Sequence, residues 1–213
     1  MRADFPLKDK YGFDDLVKVM RVLRGPGGCP WDAQQTHESI RKNFIEETYE
    51  AIEAIDAADP VLLQEELGDV LLQVIYHAAI EEEKGSFSID DVCDGICKKL
   101  VIRHPHIFGD VKVDTAEEVL SNWEMIKQQE KGQKTAAETL ESVPKVLPAL
   151  MRAEKIQKRA SRAGMDYDSV ADAFRDLRSE VDELEDAVKN GTPEQRGLEL
   201  GDLLFSAVNV SRF

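Results

Sequence analysis

The stretch EETYEAIEAIDAADPVLLQEELGD, residues 46–69, carries acids in helical steps on both sides of a break. At about 100° per residue, Glu47 and Glu50 lie about 60° apart on one helix, and Glu66 and Asp69 stand in the same relation on the next, so each pair shares a face. The DAADP segment interrupts the helix and predicts an antiparallel hairpin turning near Asp59. Glu50 lies nine residues before Asp59 and Glu66 seven after it. At about 1.5 Å per residue their levels differ by roughly 3 Å. Glu47 and Asp69 face each other one turn further from the bend.

On a helical wheel Glu47 falls beside Ile40, Phe44 and Ala51, and the run VLLQVIYHAAI after Asp69 is apolar almost all round. These acids are therefore expected to be partly buried, at a cost of several kcal/mol per unpaired ion. No Lys or Arg within the two helices is spaced to neutralise all four. A cation is the remaining partner, and an all-oxygen donor set suits Mg²⁺ or Mn²⁺. A di-iron site would need a Glu-x-x-His pair, and neither Glu50 nor Glu66 has a histidine three residues on.

The segment recurs. EELGDVLLQVIYH at 65–77 is echoed by LELGDLLFSAVNV at 198–210, a shift from 65 to 198, or 133 residues. The same shift carries Glu47 to Glu180, Glu50 to Glu183, Glu66 to Glu199 and Asp69 to Asp202 without insertion. One ExxE among 42 acidic residues means little, but four acids repeated in register beside the same Leu-Gly-Asp need a shared cause. The copies differ in that Ser179 replaces Glu46, and Phe213 corresponds to Ile80. The final VNVSRF has no Gly, Pro or capping signal, so the second copy is expected to be cut short, without its last helix.

The elements that must position these acids are helices. Apolar residues recur at three- and four-residue steps, and period-2 runs rich in Val, Ile and Thr are absent, which predicts an all-α protein. Helices are expected at about 13–24, 37–57, 61–84, 89–102, 116–131, 147–163, 168–190 and 194–212, with start signals such as Ser88 and Thr115. RGPGGCPWD reads as a loop. The polar, small-residue stretch from Gly132 suggests a first helical domain over 1–131, a linker over 132–145 and a second domain over 146–213.

A net charge of -15 and a pI near 4.7 repel a phosphate backbone, which argues against nucleic acid as a partner. The N-terminus has no apolar targeting core and no segment has the roughly 18 to 20 apolar residues of a membrane span, so a cytoplasmic protein without a membrane partner is expected. Cys29, Cys93 and Cys97 lack zinc spacing and read as reduced packing residues. The histidines of HPHIF read as a packed or capping turn, and Trp31 as a core residue.

The chain resembles MazG, a family of nucleoside triphosphate pyrophosphohydrolases within the all-α NTP pyrophosphatases. The resemblance covers nearly the whole chain. It rests on GCPWD (28–32), Glu46, Glu47 and Glu50 as an EExxE motif, Glu66 and Asp69 as ExxD, RHPHIFGD (103–110), VPKVLPALMRAEKIQKRA (143–160) and the closing ELGDLLFSAVNVSRF. It implies Mg²⁺-dependent cleavage of nucleoside triphosphates to monophosphate and pyrophosphate by a homodimer. In the family the EExxE and ExxD acids are metal ligands. Glu47, Glu50, Glu66 and Asp69 would then hold the metal, and Glu46 would orient or deprotonate a water. By the repeat, Glu180, Glu183, Glu199 and Asp202 would do the same in the second copy. Phosphates need cationic grips, for which Lys42, Lys98, Lys99 and Arg103 are the candidates in the first copy. Arg175, Asp176 and Arg196 flank the second site as further substrate-binding candidates. Two alternatives are a related pyrophosphatase with a narrower substrate, such as phosphoribosyl-ATP or dUTP, and a non-catalytic metal-binding dimerisation scaffold.

Overall fold

In the computed structural model, residues 5–130, 132 and 135–213 are described. Residues 133 and 134 of the expected linker lie outside them, as does residue 131 at the end of an expected helix. All regular structure among the described residues is helical. The helices are α1 (Phe13–Arg24), α2 (Pro30–Gln34), α3 (His37–Asp56), α4 (Pro60–Glu83), α5 (Ile89–Arg103), α6 (Pro105–Phe108), α7 (Ala116–Glu130), α8 (Ala136–Glu141), α9 (Ala149–Arg162), α10 (Val170–Asn190) and α11 (Pro193–Val210). None is long and apolar enough to cross a membrane.

Two hairpins carry the architecture, and local signals set both. Thr36 caps α3, accepting from the Ser39 amide, while Ser39 accepts from the Thr36 amide. The first hairpin turns through Ala57–Asp59, with Ala58 in the left-handed region at φ 51°. Asp59 then accepts from the Val61 and Leu62 amides and Pro60 opens α4, where its missing N–H costs nothing. In the second hairpin Ser169 caps α10, and Thr192 and Gln195 form a reciprocal capping box ahead of Pro193 at the start of α11.

Contacts gather into two compact units, Met1–Ile102 and Arg103–Phe213. In the first, α1 packs on the α3–α4 hairpin, burying Val17, Met20, Ile40, Ile75, Tyr76 and Ile80. Each aliphatic side chain so buried contributes about 1.5–3 kcal/mol. In the second, α9 packs on the α10–α11 hairpin over a smaller buried set that includes Val143, Ala153, Ala173 and Ala187. The division falls earlier than the expected linker because α7 belongs with the second unit. Arg162 of α9 lies 2.9 Å from Glu124, and Arg103 lies 2.7 Å from Glu130.

RGPGGCPWD is not wholly loop. Its last residues open α2, which is too short to show a helical period. Gly28 is needed there, since a Cβ would sit 2.2 Å from the Val22 carbonyl oxygen. By contrast Gly68 and Gly201, mid-helix beside Asp69 and Asp202, would admit a Cβ with nothing within 4 Å. The cysteines are free, but Cys93 and Cys97 are exposed instead of packed, since both lie on solvent-facing positions of α5.

Candidate metal centres

The α3–α4 hairpin brings Glu47, Glu66 and Asp69 together. Each is half-buried, and each offers an oxygen such that the three atoms lie within 4.8 Å of one another. The α10–α11 hairpin does the same with Glu180, Glu199 and Asp202, the last of these exposed. Glu50 and Glu183 stand at the rims of these trios, both exposed. Glu50 is hydrogen-bonded to Glu47, and Glu183 accepts from the Ser179 hydroxyl at 3.1 Å.

Burial is the largest cause pushing the Glu47 carboxyl above its ordinary value, followed by the charges of Asp69 and Glu50, the hydrogen bond with Glu50 and the charge of Glu66. Glu66 is raised by burial and then by Glu50, Glu65, Asp69 and Glu53. Glu180 is raised by burial and then by Glu183, Asp176, Asp202 and Glu199. Oxygens this close, with no cationic side chain among these causes, are a donor set that a hard divalent ion fits.

The expected cationic grips are mostly engaged elsewhere. Lys42 pairs with Glu46 at 2.7 Å, Lys98 with Asp94 at 2.5 Å, and Arg175 with Asp172 at 2.9 Å. Arg103 is held by Glu130 at 2.7 Å and lies over the Trp123 ring at 5.2 Å. Lys99 is exposed on α5, and Arg196 donates to the Thr192 carbonyl at 3.4 Å. Asp176 is tied into the second unit, accepting from the Ser206 hydroxyl at 2.8 Å and from the Tyr167 hydroxyl. Neither Tyr167 nor Ser206 was singled out by the sequence pattern. Trp31, expected in the core, is 62 % exposed, because the buried position beside α2 is taken by Tyr76, whose hydroxyl donates to Asp32. His104 occupies the N-cap position of α6 without a side-chain capping hydrogen bond.

A cluster that the spacing did not suggest lies at the far end of the first hairpin. His37 Nδ1 is 2.7 Å from His77 Nδ1, and its Nε2 is 2.6 Å from Glu81, which also pairs with Lys84. The partners are 40 and 44 residues apart in sequence, so only the folded hairpin joins them.

Residues 35–108 match the MazG nucleotide pyrophosphohydrolase domain. Over 201 residues the chain is 46% identical to a nucleoside triphosphate pyrophosphohydrolase/pyrophosphatase MazG of Thermotoga maritima, covering 94% of this chain and 76% of that protein. It is 42% identical over 202 residues to a nucleoside triphosphate pyrophosphohydrolase of Escherichia coli, covering 93% of this chain and 77% of the relative. It is 48% identical over 214 residues to an uncharacterized Bacillus subtilis protein, YabN, of which it covers 43%.

Proposed function

The chain belongs to the MazG family of nucleotide pyrophosphohydrolases, and we propose that it hydrolyses nucleoside triphosphates to nucleoside monophosphate and pyrophosphate with Mg²⁺ or Mn²⁺ as cofactor. The observation that carries the reading is the meeting of three carboxylate oxygens within 4.8 Å in each of two hairpins.

Glu47, Glu66 and Asp69 would hold the ion in the first unit, and Glu180, Glu199 and Asp202 in the second, with Glu50 and Glu183 completing the sets from the rim. A bound divalent ion supplies charge neutralisation at the phosphoryl oxygens and a lowered pKa for water. The reaction adds water across the α–β phosphoanhydride, so one proton must be taken up. Glu46, adjacent to Glu47 and exposed, supplies a carboxylate oxygen for it in the first unit. The exposed Lys99 and Arg196 are the expected cations that can meet phosphate directly, and Lys42 can do so only by exchanging its pairing with Glu46. The second unit has Ser179 where the first has Glu46, and its hydroxyl steadies Glu183 instead.

The active assembly is a homodimer in the cytoplasm. Ile45, Tyr49 and Ile52 form an exposed apolar stripe on α3 at helical spacing, which a second copy would cover. Analytical ultracentrifugation is expected to give twice the chain mass. The activity is tested by incubating the protein with each nucleoside triphosphate and Mg²⁺ and resolving the products. Monophosphate and pyrophosphate in equal amounts are expected, and release of inorganic phosphate alone, or of nothing, defeats the proposal.

A further inference from the structure

Two residues of α5 have no part in the metal centres or the core. The sequence suggests that Cys93 and Cys97 pack, but the structure leaves both thiols free and exposed. Among the residues of α5 only Ile89 is buried, and Val92, Ile96 and Leu100 lie exposed along with the cysteines. The turn between the two thiols therefore holds no buried side chain.

Four residues apart in a regular helix, two residues share a face, with Cα atoms about 6 Å apart and Cβ atoms about 5–6 Å apart. A disulfide accepts the first separation, since its Cα atoms span about 4.4–6.8 Å, but it needs the Cβ atoms at about 3.8 Å. The thiols are thus neighbours that can be joined once the turn between them gives by about 2 Å.

Gly95 sits midway in that turn. A Cβ there would meet nothing within 4 Å among the described residues, so packing does not require a glycine at this place. What glycine supplies is backbone freedom, because it holds a helix less firmly than alanine does. One ion pair spans the same turn, Asp94 with Lys98 at 2.5 Å, and both partners are exposed, so it resists opening little.

We propose that Cys93 and Cys97 are a redox-sensitive pair, which a hydroperoxide closes to a disulfide within the chain and a dithiol reductant reopens, bending α5 in the oxidised state. With hydrogen peroxide, one thiolate attacks a peroxide oxygen, the O–O bond breaks, and a sulfenic acid and one water result. The sulfur of the second cysteine then displaces hydroxide from the sulfenic acid, and the hydroxide leaves as a second water with the proton that this thiol gives up. Two thiols and one peroxide become one disulfide and two waters, with two electrons passing from the sulfurs to the peroxide oxygens. A bridge that is exposed and must distort its own helix is readily reduced, which suits sensing and not stability. Bending this turn redirects Lys98 and Lys99, which follow Cys97 directly. The inference stands apart from the function proposed above.

The full chain is treated with one equivalent of hydrogen peroxide, remaining thiols are blocked with iodoacetamide, and peptides are mapped by mass spectrometry. Cys29, half-buried at the start of α2, is expected to be alkylated, while Cys93 and Cys97 are found joined within one chain. By hydrogen exchange the amides of α5 should open roughly tenfold faster in the oxidised protein, and dithiothreitol should restore both the thiols and the protection. Gly95→Ala should slow closure about threefold, in line with the firmer helix, with Tm measured alongside to confirm folding. In Cys93→Ser the remaining Cys97 has no partner one turn away, so dimedone should trap it as the sulfenic acid. Alkylation of both Cys93 and Cys97 after peroxide, a bridge to Cys29 or to a second chain in place of this one, or α5 amides that exchange alike in the two states, overturns the proposal.

Discussion

Asp69 and Asp202 each add a negative charge to a cluster already crowded with them, and the loss of either should be felt in metal affinity before stability. Asp69→Asn is expected to lower Mg²⁺ affinity at least tenfold by calorimetry, while the metal-free protein melts no lower than the parent, because removing one charge relieves repulsion on Glu47 and Glu66. Asp202→Asn tests the second unit in the same way. Unchanged Mg²⁺ affinity in both would remove the assignment of these carboxylates as ligands. The acids were legible in the sequence because i,i+3 spacing on a helix fixes which side chains share a face, and the repeat excluded coincidence. The rim position of Glu50 and Glu183 was not, since 60° of helical arc separates a half-buried position from an exposed one only when the neighbouring helix is in place. The pairings of Arg103 and the exposure of Trp31 were not legible for a related reason: Glu130, Trp123 and Tyr76 are remote from them in sequence.

At the scale of elements, capping residues hold the hairpins in register. Asp59 satisfies two amides at the start of α4. Asp59→Ala should therefore cost about 1 kcal/mol, a fall in Tm of roughly 2–4 °C for a chain of this length, measured by thermal unfolding. Gly28→Ala should cost more, because the added Cβ meets the Val22 and Leu23 carbonyl oxygens at 2.2 and 2.4 Å and backbone must move. If Gly28→Ala melts like the parent, the close approach is not what the residue is for. The eight long helices were readable from periodicity and caps, most to within two residues. The helices α2, α6 and α8, of five, four and six residues, were not, since so few residues complete scarcely more than one turn and cannot display a 3.6-residue period.

At the scale of the whole molecule, the charge of -15 is divided between groups that respond to pH in opposite senses. Burial, and then His37, push His77 below its ordinary 6.5. The unfolded chain therefore takes up that proton first as pH falls, and stability declines below about pH 6.5. Lys84, then His37 and Ser86, hold Glu81 down to about 2, so its contribution is present above its ordinary 4.5 and is lost as pH falls from there towards 2. Glu47, Glu66 and Glu180 are raised, so the folded state keeps their protons longer and metal-free stability falls as pH rises through and above 4.5. Mg²⁺ should accordingly raise Tm more at pH 7.5 than at pH 5, and His77→Phe should flatten the fall in Tm between pH 7 and 5.5. Calorimetric scans across pH with and without Mg²⁺ check both, and an equal Mg²⁺ effect at the two pH values would place the ion away from these acids. Gly68 and Gly201 carry a different kind of cost. A glycine inside a helix is about 0.5–1 kcal/mol worse than alanine, and nothing among the described residues forbids the methyl group at either place. Both helices thus present uncovered main chain next to an aspartate of a carboxylate cluster, where a neighbouring molecule can approach more closely than any side chain would permit. Alanine at these sites should make the isolated chain harder to melt and any such neighbour harder to seat.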